Sequence, residues 1–540
     1  LHLPSTATTR PHPGETPFCG ITRRAAIAGA FAAGATARLH SQPKPEVFEV
    51  VVFGATPAGV LASVAAARVG ARVALVEPAS WVGGDFYTGV CHAEEIPGNR
   101  RRLVGGICQE FFERASPQNR RQGRAPEWLP ATAQRALREL LAGANVSVRL
   151  GAALEGVRSE RGRIRALRLA DATELRARVF VDASIEGDLL AAAKVPFTLG
   201  REPSSRFGES LAGVRPAASA IAVSPFDERG LLPGLLPGSP GAAQSGDGRF
   251  ASFQLRPVLT ANPAIRVPLQ PPAGFDPRNF ELLGRCAAVG LVKSLNDLFE
   301  WKPLAGDRVT VAEAADAPVS LAMPGAAEGY YEGSAAARSR IYRMHRDHTQ
   351  GLLWFLRTDR RIPAAIRDPL RNLGLCADLW PETNHWPPAL ELRESRRMQG
   401  EVVLNQRDLE DRRRKTDSVA LGLHPLRGPV VGRYAAGKDA FRPEGAFART
   451  LPLFEIPWLS VTPRRIHTDN LLVPVCLSAS HVAWHSLRAQ QTRMVLGEVA
   501  GIAAALAADG AKAVQDLDPA ILQAKLRRVG LLIDLPRGNG

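Results

Sequence analysis

The 540-residue sequence predicts an α/β fold, in which a nucleotide-binding domain with a parallel central sheet is built from distant segments. Three observations predict it. A strand–turn–helix–strand unit opens at residue 48 around Gly54-Ala55-Thr56-Pro57-Ala58-Gly59. Two alternating apolar segments, 163–169 and 174–181, return the chain to that turn at Asp182-Ala183-Ser184. Far along the chain a short apolar strand, 470–474, precedes a helix over 487–508 that is rich in Ala and Gly.

The chain starts with an address rather than a fold. Thr22-Arg23-Arg24 opens a small, apolar run over 25–37 that ends in Ala35-Thr36-Ala37, a small-x-small cleavage pattern. This resembles a twin-arginine export signal, so residues 1–45 are expected to be signal and linker and the protein to be exported, to the periplasm.

Next comes Phe48-Glu49-Val50-Val51-Val52-Phe53, an apolar run of buried-strand type. Gly54 permits the tight turn after it. Gly59 lets the following helix (60–69) pack on the strand, and free amides of Thr56, Ala58 and Gly59 at the helix start face a pyrophosphate. Pro57 is expected beside the cofactor with them, and Thr56 stands where the GxGxxG pattern has its middle glycine. A second strand, 72–76, ends at Glu77, 23 residues after Gly54, where a carboxylate can accept from a ribose diol. Beyond it, Pro78 and the pair Gly83-Gly84 leave backbone room for a cofactor that extends past its pyrophosphate, which points to FAD over NAD.

Residues 146–150 read as a further strand, and 163–181 as a small antiparallel meander. The expected domains are a cofactor domain over 46–194, an inserted α+β substrate domain over 195–450, and the return of the cofactor domain with a terminal helix over 451–540. The insert mixes a Pro/Gly-rich loop (231–248) with helices such as 334–356.

Composition excludes other classes. The net charge is +15, but only 8 of 68 basic residues are Lys, and the Arg residues are scattered along the chain, so no nucleic-acid stripe is expected. Arg412-Arg413-Arg414-Lys415 follows Asp408, Glu410 and Asp411 and reads as a solvated face. Six widely spaced cysteines without a CxxC argue against a disulfide framework or a thiolate metal site. No apolar run approaches the ~20 residues a membrane-spanning helix needs.

The motifs together resemble the FAD-dependent oxidoreductase family among the glutathione-reductase-type flavoproteins, whose members often carry a xanthan-lyase-like label. The resemblance rests on GATPAG, on Val76-Glu77-Pro78 with Gly83-Gly84, and on Asp182-Ala183-Ser184-Ile185-Glu186-Gly187-Asp188 followed by Gly200-Arg201-Glu202. It continues through 349–356, His385-Trp386-Pro387, Arg393-Glu394-Ser395-Arg396-Arg397-Met398 and 470–483, in order, over about residues 48–528. It implies a three-layer Rossmann-like FAD domain with a β-meander. It also implies that the last helix aims its amino end at the flavin, with Ser486, Leu487 and Gln491 beside the cofactor.

The chemistry implied is hydride transfer between FAD and a small polar, sugar-like substrate, with an unidentified electron acceptor. Two alternatives stand beside it: a flavin-dependent reductase of an activated double bond, and a flavin-binding module without turnover. His481, Arg488 and His385 match the family and are the candidate catalytic residues. No metal site is expected, because the helically spaced pairs His481/His485 and His345/His348 show no third ligand. His485 departs from the family, as do Asp85 with the residues after it, the stretch 307–320, and Ala489-Gln490-Gln491. Cys91 or His92 is a conceivable point of covalent flavin attachment.

Overall fold

Val50, Val51, Val52 and Phe53 are buried on both faces of β1 (Glu46–Phe53), as residues of a parallel strand covered by helices must be. The computed structural model describes residues 45–94, 96, 103–117 and 126–536; the export signal expected at 22–37 lies outside these. After β1 come α1 (Pro57–Arg68), β2 (Val73–Glu77), α2 (Gly106–Ala115), α3 (Pro130–Gly143) and β3 (Ser147–Leu150). The meander follows as β4 (Leu154–Glu160), β5 (Arg163–Leu169) and β6 (Glu174–Asp182), and β6 leads into the short helix α4 (Asp188–Ala192).

The sheet order is β3-β2-β1-β6-β5-β4, parallel through β3, β2, β1 and β6 and antiparallel through the meander. β4 was not expected, because its residues are largely exposed and carry little apolar alternation. β6 changes neighbour along its length. Its first residues pair with β5, whereas Phe180 and Val181 pair in parallel with Leu471 and Leu472 of β12 (Leu471–Leu472). That switch brings a segment from nearly 300 positions later onto the end of β6, which separates it from β1.

A second sheet carries the insert. It comprises β7 (Val258–Thr260), β8 (Arg266–Pro268), β9 (Phe299–Leu304), β10 (Arg308–Glu313) and β11 (Gly374–Cys376), in the order β8-β11-β7-β10-β9, all antiparallel. α5 (Ala335–Thr358) packs on it, capped by the Ser334 hydroxyl, which accepts from the Ala337 amide as its predicted start requires. Phe253, Phe280, Leu352 and Phe355 belong to the core of this part. Met398, Leu404 and the buried stretch from Val419 to Leu426 instead join the first core with β1 and α1, so the chain regains the cofactor side well before 451.

The helix expected over 487–508 begins three residues later, at Gln490, and a separate short helix precedes it. α6 (His481–Leu487) is capped by Ser480, whose hydroxyl accepts from the Ala483 amide. The chain then leaves helical geometry at Ala489 (ψ 136°) and restarts as α7 (Gln490–Asp509). α7 lies on α1, and both helices are lined with small residues where they touch.

Candidate active site

Two cavities meet in the cleft between the parallel sheet and the insert, sharing Asp85 and Leu392. The smaller, about 230 Å³, is lined by Gly54, Thr56, Glu77, Gly84, Ser184 and Arg338 among others. The larger, about 320 Å³, lies under the start of α7.

The first turn is built as its glycines require. Gly54 has φ +98°, and a Cβ there would stand 2.6 Å from the Ser184 nitrogen. A Cβ on Gly59 would stand 1.9 Å from the Gly54 carbonyl oxygen. Thr56 caps α1: its hydroxyl accepts from the Gly59 amide (3.1 Å) and donates to the Ala183 carbonyl (2.8 Å). The middle position of the motif therefore carries a cap in place of a bare backbone. Pro57 takes the first helical turn, and Ala58 is buried against α7. Gly83 (φ +116°) donates to the Ala55 carbonyl, which folds the glycine pair back onto the turn, and Gly84 faces Thr56.

Glu77 accepts from the amides of Ala55 (2.6 Å) and Ala79 (2.8 Å), one on each oxygen. Burial outweighs these two bonds and pushes its carboxyl up to about 7. Each oxygen retains lone-pair capacity, and both Glu77 and Pro78 line the smaller cavity. Asp182 faces inward: Oδ1 accepts from the Ser184 amide and hydroxyl, and Oδ2 from the Leu190 amide, tying β6 to α4. Ser184 lines the cavity, and Ala183 holds Thr56.

The larger cavity is mostly charged. Arg256, Arg393, Arg488 and Arg493 line it with Lys302, Asp85, Glu313 and Glu391. Gln254 donates to Glu391 (2.6 Å), and Arg393 is paired with Glu313. Burial pushes the Glu391 carboxyl up, but Arg256, Arg393 and Arg488 outweigh it, and its pKa lies below the ordinary value. Asp85, where the cavities meet, is raised to about 6 by burial despite Arg493, and it accepts from the Gln490 amide group (2.7 Å). His92 is lowered to about 4, chiefly by burial and also by Lys302.

Of the residues expected at this site, Arg488 lines the larger cavity. Ser486 donates to the His424 carbonyl, Leu487 packs in the first core and Gln491 donates to the Glu94 carbonyl; none of them lines either cavity. His385 sits on a turn with φ +67°, its Nδ1 3.0 Å from the Leu379 carbonyl, and lines neither cavity. Cys91 is buried in an apolar cluster with Val258, Leu304 and Trp380, and its thiol is pushed up to about 12 by burial. His92 lines the cavity.

His481 is brought to Glu394, with Nε2 2.8 Å from Oε1, and His485 lies 3.0 Å from the same oxygen. The pair His481/His485 thus has the third neighbour that the sequence did not reveal, because Glu394 is 87 positions away from His481. His345 and His348 are held by Ser252, the Ile341 carbonyl and the Ser320 carbonyl. Arg256, Glu313, Glu391 and Arg493 also escaped sequence reading. The one signal for Arg256 is the alternation of buried Phe253 and Leu255 with Gln254 and Arg256, which puts both polar residues on the cavity side.

Residues 49–526 match the family described as FAD dependent oxidoreductase, and the chain belongs to it. No curated protein matches by sequence. Among solved structures, OxyS anhydrotetracycline hydroxylase from Streptomyces rimosus is 12% identical, with 90% of this chain and 66% of that chain covered and a TM-score of 0.36. A geranylgeranyl bacteriochlorophyll reductase-like protein from Thermoplasma acidophilum is 12% identical, with 90% and 83% covered and a TM-score of 0.34. THI4 from Thermovibrio ammonificans is 21% identical over 29% of this chain and 66% of that one, with a TM-score of 0.23. The chain spans less than two thirds of the first of the solved structures it matches, down to 26% of a steroid monooxygenase bound to NADP.

Proposed function

We propose that this FAD-dependent oxidoreductase transfers a hydride between the flavin and a small, polar, anionic substrate held in the larger cavity. One observation carries the reading. Arg256, Arg393, Arg488 and Arg493 line a single cavity, and each has at least one buried N–H without a partner among the described residues. Guanidinium groups recognise carboxylates by paired N–H donation, and a buried donor left unpaired is unfavourable. An anion with several oxygens satisfies them, while Glu391 and Glu313 hold Gln254 and Arg393 in place and can accept from substrate hydroxyls.

The smaller cavity fits the adenosine and pyrophosphate half of FAD. A Cβ on Gly54 would collide with Ser184, and Glu77 presents carboxylate oxygens beside the helix start. Gly54, Thr56, Glu77, Pro78, Gly84 and Ser184 would hold the cofactor. Bound there, FAD supplies a reversible two-electron acceptor. The chain supplies the rest. Arg488 and Arg393 bind and orient the substrate anion. Asp85, its carboxyl raised to about 6, can take or return a proton at Oδ near neutral pH. His92, lowered to about 4, stays neutral and offers an acceptor in the same wall.

The test is anaerobic mixing of flavin-loaded protein with a panel of hydroxy acids and matched neutral alcohols, followed by flavin absorbance. Bleaching by the acids alone supports the reading, and bleaching by neutral alcohols alone defeats it. Reoxidation of chemically reduced flavin by unsaturated acids, without bleaching in the forward direction, favours the double-bond reductase. No response to either panel favours the module without turnover. The Arg23-Arg24 pattern supports export through a twin-arginine route. Fractionation of cells expressing the full gene tests that: protein found only in the cytoplasm rules it out.

A further inference from the structure

His481 and His485 stand one turn apart on α6, so their side chains project from the same helix face. Glu394 meets them from the segment that also carries Arg393 and Arg397. The oxygen Oε1 lies 2.8 Å from Nε2 of His481 and 3.0 Å from Nε2 of His485, and the two nitrogens are 3.4 Å apart. All three residues are buried, and the edge of Phe447 closes the group from one side.

Hydrogen bonding alone satisfies this group poorly. Both rings would carry a proton on Nε2 and aim it at one oxygen, with the two N–H groups facing each other across 3.4 Å. The second oxygen of Glu394 and both Nδ1 atoms have no partner among the described residues. Arg397 reaches that second oxygen only at 4.0 Å, too far for a hydrogen bond, and pairs more closely with Glu202 at 2.9 Å.

The separations match a different filling. Nitrogen and oxygen ligands about 2.0–2.2 Å from one ion, at roughly tetrahedral or octahedral angles, lie about 2.8–3.6 Å from each other. The three separations here, 2.8, 3.0 and 3.4 Å, all fall within that range. We propose that Glu394, His481 and His485 bind one divalent first-row transition ion through Oε1 and the two Nε2 atoms. Two imidazoles and a carboxylate suit iron, zinc, nickel or cobalt better than calcium or magnesium, which take oxygen ligands. His485 also lines the larger cavity, which gives the ion a route to the cluster. The site is distinct from the flavin cradle: none of its ligands lines the smaller cavity.

The experiment loads the flavin-bound full chain, stripped of metal by a chelator, with excess zinc ion. Unbound ion is removed by gel filtration, and zinc and flavin are counted on the same sample. Expected is about one zinc per chain, falling at least tenfold in His485→Ala and in Glu394→Gln while flavin per chain stays constant. His345→Ala, remote from the cluster, is expected to retain the ion. Less than about a tenth of an equivalent in the unaltered protein, or equal binding in protein and variants, overturns the proposal. If Glu394→Gln loses its flavin and fails to fold, His485→Ala and the unaltered protein decide the matter. Because zinc and flavin are counted separately, loss of the flavin reading and loss of the metal reading are distinguishable.

Discussion

The carbonyl oxygen of Ala58 lies 2.2 Å from the point where a side-chain carbon on Gly497 would stand. One turn on, a Cβ at Gly501 would stand 2.1 Å from the Ala62 oxygen. These two contacts let α7 rest directly on α1, so the helix that follows the dinucleotide turn and the helix whose start lines the larger cavity are fixed to each other. The positions of Thr56 and of Gln490 are coupled through this face.

Gly497→Ala is therefore expected to destabilise the protein by about 1–3 kcal/mol, because backbone must move to admit the methyl group. Thermal unfolding and flavin content per chain check it together, and both are expected to fall. Gly510→Ala is the control. Gly510 ends α7 with φ −75°, and its nearest neighbour to a new Cβ is the flexible Lys512 side chain at 3.4 Å. Its unfolding temperature is expected to stay within about a degree of the parent, since surface changes of this kind are worth under ~0.5 kcal/mol.

Glu498 makes stability depend on pH. It is buried, accepts from the Ile107 amide at 2.8 Å, and burial pushes its carboxyl up to about 7. A carboxyl whose folded pKa lies above its unfolded value of 4.5 binds more protons in the folded state. Its stabilising contribution is complete below about pH 4.5 and is lost as pH rises through 7. Glu498→Gln keeps an acceptor for Ile107 without the charge. It is expected to stabilise the protein at pH 8 by up to about 3 kcal/mol and to flatten the decline between pH 5 and 8. Denaturant midpoints at four or five pH values measure this. An unchanged slope would mean that the carboxyl stays ionised.

The cofactor half of the fold was legible because it is local: strand, turn, helix, strand and acid follow within 30 residues, and each position has its own steric reason. Gly54, Gly59 and Glu77 stand where that logic puts them. The short helix α6 was not legible, and the start of α7 is held by Glu94, which accepts from the Gln490 amide, and by Asp85, which accepts from the Gln490 side chain. Of the larger cavity, Arg488, His92, His485, Asp85 and the Ala489-Gln490 step were singled out in the sequence. Its other walls come from β10, from Arg256 and from residues 391–393, which topology alone brings together. For the same reason Glu394, quoted within its motif, could not be joined to His481.

Arg488 separates substrate binding from catalysis. Its Nε is buried without a partner among the described residues, and it lines the larger cavity. Arg488→Met keeps the apolar stem and removes the donors. For an anionic substrate KM is expected to rise about 10–100-fold, the worth of a charge-assisted hydrogen bond, with a smaller effect on kcat. A neutral analogue is expected to respond less than threefold; equal losses on both would show that the arginine does not read charge.

Cys91 bears on how the flavin is held. A thiol raised to about 12 and packed against Val258, Leu304 and Trp380 is a poor nucleophile at neutral pH. Acid precipitation is therefore expected to release all flavin into the supernatant, and Cys91→Ser to change nothing in that assay. Flavin that stays in the pellet and is freed by Cys91→Ser would refute this.

Asp85 stands at the junction of the two cavities, with one oxygen 2.7 Å from the Gln490 amide nitrogen and Arg493 at 4.0 Å. Burial raises its carboxyl to about 6, outweighing the opposing charge of the neighbouring Arg493. A group that titrates there changes protonation within the working range, which suits general acid–base catalysis. Asp85→Asn preserves the shape and removes the proton exchange. It is expected to leave flavin content intact, to lower kcat/KM about 100-fold or more, and to abolish an ionisation near pH 6 in the pH–rate profile. Loss of rate with that ionisation still present would show that Asp85 is not the group that titrates there and would overturn its acid–base role. Loss of flavin would show instead that Asp85 acts by holding Gln490 and the start of α7 against the cofactor cradle.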